Sequence, residues 1–139
     1  MHNGYMVQLA PGEGKTLAIG LTSALYASAQ RPCHVVTAND YLADRDAELM
    51  HPLLATAGFT TASITAETPP ESLAQRYRAD VVYATGKQFL ADFLRDQIIL
   101  GGDKDPVRRR LWEMQQQPGA QRPVSRGLWV AIVDEADSV

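Results

Sequence analysis

Two short strings hold most of the chemistry this chain can do: Gly12-Glu13-Gly14-Lys15-Thr16 near its start and Asp134-Glu135-Ala136-Asp137 near its end. A triphosphate is a flexible polyanion, so gripping it takes many N–H donors in a tight turn with no side chains in the way. Gly12 and Gly14 permit that approach and tolerate positive φ. Lys15 is spaced to reach the β/γ-phosphates, and the Thr16 hydroxyl to ligate Mg²⁺. The string departs from G-x-x-x-x-G-K-[ST] at its first position, where Leu9 replaces glycine. Asp134 has the chemistry to hold the metal, directly or through water, and Glu135 to take a proton from an attacking water. Each string alone also has an ordinary reading, as a glycine-rich turn before a helix and as an acidic helix start. In this order they describe one site that hydrolyses a nucleoside triphosphate. Its catalytic residues are Lys15, Asp134 and Glu135. Its nucleotide-binding loop is Gly12, Glu13, Gly14, Lys15 and Thr16, and its Mg²⁺ ligands are Thr16 and Asp134.

These residues need a scaffold, and the patterning supplies one. Tyr5 to Leu9 can be a short strand leading into the loop, and Leu17 to Ala29 reads as a helix whose N-terminus adds free N–H groups and the positive end of a dipole. Its Ala and Leu content predicts burial around most of its circumference. Cys33 to Thr37 is a second strand, and Asn39 caps the next helix. That helix is expected to bury Leu42, Leu49, Met50, Leu53 and Leu54 as one stripe, to kink or break at Pro52, and to end at Gly58. Phe59 to Ile64 and Val81 to Ala84 are strands, with a short helix from Pro69 to Ala79 between them. Thr85-Gly86 makes a turn, and Gln88 to Leu100 is helical. Leu128 to Val133 is almost wholly apolar, as a central parallel strand buried on both faces should be. Alternating strands and helices predict an α/β fold, a mostly parallel sheet in a three-layer αβα arrangement. In such sheets ligands bind beyond the carboxyl ends of the strands, so both strings belong to one edge.

The remaining features mostly exclude. A length of 139 residues gives one domain or part of one, and 45% hydrophobic content fits a globular protein. A net charge of −3 shows no broad electrostatic footprint for nucleic acid. No apolar run is long enough to span a membrane, and the first residues lack a signal-peptide pattern. The lone Cys33 reads as a small core residue in a reducing cytoplasm. His2, His34 and His51 are scattered and lack metal spacing. Residues 101–127 read as a surface excursion, with a helix from Pro106 to Gln117. Its Lys104, Arg108, Arg109, Arg110, Arg122 and Arg126 form a solvated face; the alternative is contact with a partner, an acidic lipid surface or RNA. Trp112 and Trp129 read as core packing. A chain that stops on the lip of its own site is expected to be a fragment.

The tract between the two strings resembles a known family. Val35-Val36-Thr37-Ala38-Asn39-Asp40-Tyr41-Leu42-Ala43-Asp44-Arg45-Asp46-Ala47-Glu48 is similar to V-T-x-N-D-Y-L-A-x-R-D-A-E of the SecA family, the motor ATPases of bacterial protein export. Tyr83-Ala84-Thr85-Gly86 with Phe89 and Asp92 to Asp96 looks like that family's Y-G-T-x-x-E-F-x-F-D-Y-L-R-D. Gly127 to Val139 looks like its G-L-x-x-x-I-V-D-E-V-D-S-I. The resemblance implies an incomplete, RecA-like P-loop NTPase domain, here residues 1–139, the amino-terminal nucleotide-binding part of a translocase. ATP would bind between it and a second RecA-like domain, and hydrolysis would drive unfolded preproteins through the SecYEG channel. The protein would be cytoplasmic in a bacterium, and peripheral at the inner membrane when engaged with the channel. Pro11, Ala84, Gln88 and Ala136 replace the family's usual residues, and the stretch from Asp96 to Gly127 is longer, so a divergent paralogue is expected. The literal Asp-Glu-Ala-Asp is shared with DEAD-box RNA and DNA helicases. Those should carry P-T-R-E-L-A after the second strand, where this chain has Thr37-Ala38-Asn39-Asp40-Tyr41-Leu42-Ala43. The other alternative is a nucleotide-binding interaction module without turnover.

Overall fold

A computed structural model describes residues 8–10, 12–100 and 123–136. Its elements alternate as patterned: α1 (Lys15–Ser28), β1 (Cys33–Thr37), α2 (Asp40–Thr56), β2 (Thr61–Ile64), α3 (Pro70–Arg76), β3 (Val81–Thr85), α4 (Gly86–Ile99) and β4 (Val130–Val133). The strands pair in the order β2-β3-β1-β4, and every pairing is parallel. Val35 of β1 lies level with Tyr83 on one side and Ile132 on the other.

Side-chain alternation along β1 divides the core in two. Val35 faces α1 and α2, in a cluster with Tyr83, Ile132, Ile19, Ala47 and Leu54. Val36 faces the other way, with Ile64, Val82, Leu73 of α3 and Phe89 of α4. Helices therefore cover both faces, the three-layer α/β arrangement expected. Each fully buried side chain such as Leu54 contributes about 1.5–3 kcal/mol.

Several expectations are corrected. Leu17, Leu21 and Leu25 of α1 are exposed, so that helix buries one face and not most of its circumference. In α2 the buried residues are Ala43, Asp46, Ala47, Met50 and Leu54, while Leu49 and Leu53 face out. Small residues face inward because α1 crosses close by. A Cβ on Gly20 would run into the Sδ of Met50. Pro52 does not break α2, which runs on to Thr56. Thr85 and Gly86 make no separate turn. Thr85 ends β3, and its hydroxyl accepts the Gln88 N–H at 3.3 Å to start α4. β4 lies at the edge of the described sheet rather than its centre, with Val133 46% exposed. Trp129, 64% exposed, is not a core residue. Gln8, Leu9 and Ala10 carry no strand, and the rest of the leading strand lies outside the described residues, as do Trp112 and the helix placed at 106–117.

Candidate nucleotide site

The glycine loop meets α1 as the spacing requires. Gly12 (φ +85°) and Gly14 (φ +77°) both adopt the left-handed conformation that glycine enters without a Cβ penalty. Gly14 is the N-cap of α1, and no side chain caps the helix there. No acidic residue occupies the first turn, where the positive end of the helix dipole lies. Glu13 is turned onto the loop itself. Its N–H donates to the Ala10 carbonyl at 3.2 Å, and its carboxylate accepts the Ala10 N–H at 3.2 Å. Glu13 thus closes the turn.

The acidic string arrives on β4. The Asp134 N–H donates to the Val36 carbonyl at 2.9 Å, extending the β1–β4 ladder by one residue. Strand alternation then sends the Asp134 side chain to the same face as Ile132, which is the face α1 covers. Lys15 Nζ lies 2.6 Å from Asp134 Oδ1 and 3.8 Å from Glu135 Oε1. Asp134 Oδ1 is buried, and the Lys15 ammonium answers its charge. Glu135 has φ +52°, a left-handed conformation uncommon for a side-chain-bearing residue, and the strand stops there. Thr16 follows Lys15 in the first turn and is half-buried.

Neighbouring elements brace this edge. The Thr37 hydroxyl donates to the Asn39 carbonyl at 3.1 Å, and Asn39 Oδ1 accepts the Leu42 N–H at 2.9 Å. Arg45 grips the buried Asp46 through Nε (2.8 Å) and a terminal nitrogen (2.7 Å). The hydrogen bond and charge of Asp46 hold the Arg45 guanidinium further in its charged form, and the Asp134 charge adds to this. In the sequence Arg45 stands out only as part of the family-like tract.

The donor set fits Mg²⁺. Among the described residues no three His, Cys, Asp or Glu side chains gather into a cage. Mg²⁺ prefers oxygen ligands, is held by one or two carboxylates, and takes further oxygens from substrate phosphates and water. Asp134 Oδ1, buried beside Lys15, and the Thr16 hydroxyl are oxygens of that kind.

Residues missed by sequence reasoning lie on the opposite face. Asp92 and Asp96 of α4 are buried and hydrogen-bonded to side chains and backbone around them. Arg126, assigned above to a solvated cationic face, instead donates to the carbonyls of Tyr77, Arg78 and Ala79. The signal was present: carboxylates one turn apart on a helix face that also carries Phe89.

A parallel sheet between helical layers, with a glycine loop and an acidic strand end at one edge, defines an α/β domain of the RecA-like kind. Comparison with known proteins gives the family. Residues 1–139 match the model of the SecA DEAD-like domain, and the chain belongs to that family. It is 44% identical over 143 residues to protein translocase subunit SecA 2 of Magnetococcus marinus, covering 100% of this chain and 22% of that protein. It is 42% identical to protein translocase subunit SecA 2 of Chlorobium chlorochromatii, covering 98% of this chain and 21% of that protein. Protein translocase subunit SecA of Chlamydia trachomatis serovar L2 is 37% identical, with 100% of this chain and 13% of that protein covered. The chain thus spans about a fifth or less of the length of these relatives. The family match favours the translocase reading over the helicase one.

Proposed function

We propose that residues 1–139 are part of the amino-terminal RecA-like domain of a SecA-type protein translocase, and that they bind ATP and Mg²⁺ for hydrolysis. The carrying observation is the 2.6 Å approach of Lys15 to Asp134, which joins the two ends of the chain in one site. The backbone at Gly12 and Gly14 comes close to the phosphates, and the N-terminus of α1 faces their charge. Lys15 leaves the carboxylates to bind the β/γ-phosphates. Thr16 and Asp134 hold Mg²⁺, which when bound neutralises charge developing on the transferred phosphoryl group. Glu135 orients the attacking water and takes its proton.

The relatives' names support a role in protein translocation, and the family resemblance points to unfolded preproteins as its cargo and the SecYEG channel as its partner. The intact protein would work from the bacterial cytoplasm, peripheral at the inner membrane and near acidic lipid. No helix among the described residues is long and apolar enough to cross a membrane. An arginine finger supplied by another domain is typically worth about 10³ to 10⁵ in rate, so this chain alone binds ATP or ADP weakly and turns over almost none.

Calorimetry with Mg-ATP and Mg-ADP on the chain and on Lys15→Ala tests the reading. A charge-assisted hydrogen bond is worth about 1.5–3 kcal/mol, so the variant should lose about tenfold to a hundredfold in affinity. Equal affinity in both proteins, or turnover at the rate of an intact motor, would remove the assignment.

A further inference from the structure

The buried face of α4 carries carboxylates one turn apart, Asp92 (0% exposed) and Asp96 (1% exposed), both remote in sequence from the glycine loop and the acidic string. Asp92 serves the helix and its neighbour: it accepts from Tyr77 Oη at 2.8 Å, Gln88 Nε2 at 2.9 Å and Arg95 at 3.0 Å. Asp96 serves a different stretch of chain. One oxygen accepts the Val124 N–H at 2.8 Å; the other accepts the Ser125 N–H at 2.8 Å and the Ser125 hydroxyl at 2.6 Å. The next residue, Arg126, donates to the Tyr77 carbonyl at 3.2 Å, the Arg78 carbonyl at 2.8 Å and the Ala79 carbonyl at 2.9 Å, just past the end of α3. Residues 124–126 are therefore bonded on both sides, with three residues between them and β4.

β4 needs such an anchor. It is four residues long, and among the described residues it pairs only with β1. Of its residues only Ile132 is buried. A slip of one residue along β1 would turn Ile132 outward and take Asp134 away from the face of α1. Ile132, helped only by the partly buried Val130, holds register weakly. A buried carboxylate that accepts three hydrogen bonds holds it firmly, since leaving any of those groups unpaired in the interior is costly.

We infer that Asp96 and Arg126 are positioning residues that clamp the root of β4 and so keep Asp134 and Glu135 within reach of Lys15. The consequence for nucleotide binding rests on the function proposed above; the clamp itself does not.

Amide hydrogen exchange on this chain tests the clamp directly. Asp96→Asn removes half the acceptor set, and Arg126→Met keeps the apolar stem but removes the fork. In both, the Asp134 amide should exchange at least about tenfold faster than in the wild type, while α2 amides such as Met50 keep their rates. Ser125→Ala, which removes one of the three bonds to Asp96, should give an intermediate acceleration, and Arg126→Lys should restore part of the protection. An unchanged Asp134 rate overturns the clamp. So does equal acceleration in α2 and β4 by Ser125→Ala, which would mean a general loss of stability.

Binding of ADP with and without Mg²⁺ supplies the second readout. The clamp variants should keep Mg²⁺-free affinity within about twofold, but lose at least about threefold of the gain that Mg²⁺ gives. Loss of both in parallel would count against positioning. Faster β4 exchange alongside a wild-type chain that binds no nucleotide would uphold the clamp and defeat the nucleotide reading.

Discussion

His34 belongs to the core. It stands mid-strand on β1, 3% exposed, with its ring edge-on to Phe89 at 5.1 Å and near Tyr77 at 6.3 Å. Nδ1 lies 3.3 Å from the Val130 carbonyl, which is an acceptor, so the neutral ring carries its proton on that nitrogen. Burial pushes its pKa below 6.5 and the Arg126 charge adds to this, against the opposing pull of the Val130 carbonyl. The unfolded chain takes up a proton near its ordinary pKa of 6.5, and the folded chain only at lower pH. Stability therefore falls as pH drops below about 6.5. The urea midpoint should be lower at about pH 5.5 than at about pH 7.5, and His34→Gln should reduce that difference. An unchanged pH dependence in His34→Gln would exclude this origin. Cys33, whose thiol burial pushes up to about 11, is the small core residue its setting suggested. At this scale the sequence made legible the candidate residues that sit in short strings, Gly12 to Thr16 and Asp134 to Glu135. It concealed those whose partners are distant, because Asp96 and Arg126 take meaning only when 124–126 folds back over α4 and the end of α3.

Among the elements, strands were the most legible. β-branched runs marked β1 at Cys33–Thr37 and β3 from Val81, and parallel burial on both faces accounts for their lack of alternation. Helix phase was less legible. Leucines were expected inward on α2, whereas close contact with α1 selects Ala43, Ala47 and Met50, and leaves Leu49 outside. Pro52 was expected to kink or break α2; the helix does not break there, Pro52 lies on the exposed side, and the Thr56 hydroxyl donates to its carbonyl at 2.8 Å. The N-cap was legible and testable. Asn39→Ala removes the acceptor for the Leu42 N–H and should destabilise the chain by about 1 kcal/mol, with Asn39→Ser close to wild type. Urea denaturation measures both, and equal loss in the two variants would assign the effect to something other than the cap.

For the whole molecule, alternation of strands and helices foretold a three-layer α/β fold, but not which strand lies at the edge. Strand order is set by pairings between distant segments, and hydropathy carries no record of it. β4 looked central because it is apolar. On opposite sides of the sheet, Leu17, Leu21 and Leu25 of α1 and Leu90, Leu94 and Ile98 of α4 present apolar stripes to solvent. Because these side chains are not packed, Leu21→Lys and Leu94→Lys should each change unfolding free energy by less than about 0.5 kcal/mol. A larger loss in urea melts would mean that the stripes are covered in solution.

The ion pair at the strand edge has a consequence for the order of events. Lys15 is already answered by Asp134 and Glu135, two carboxylates against one ammonium. On the function proposed above, an arriving triphosphate would have to draw the lysine from a partner 2.6 Å away, and a divalent cation arriving with it would take over the carboxylate as the lysine is released. The charge of the incoming complex would then set the ease of entry.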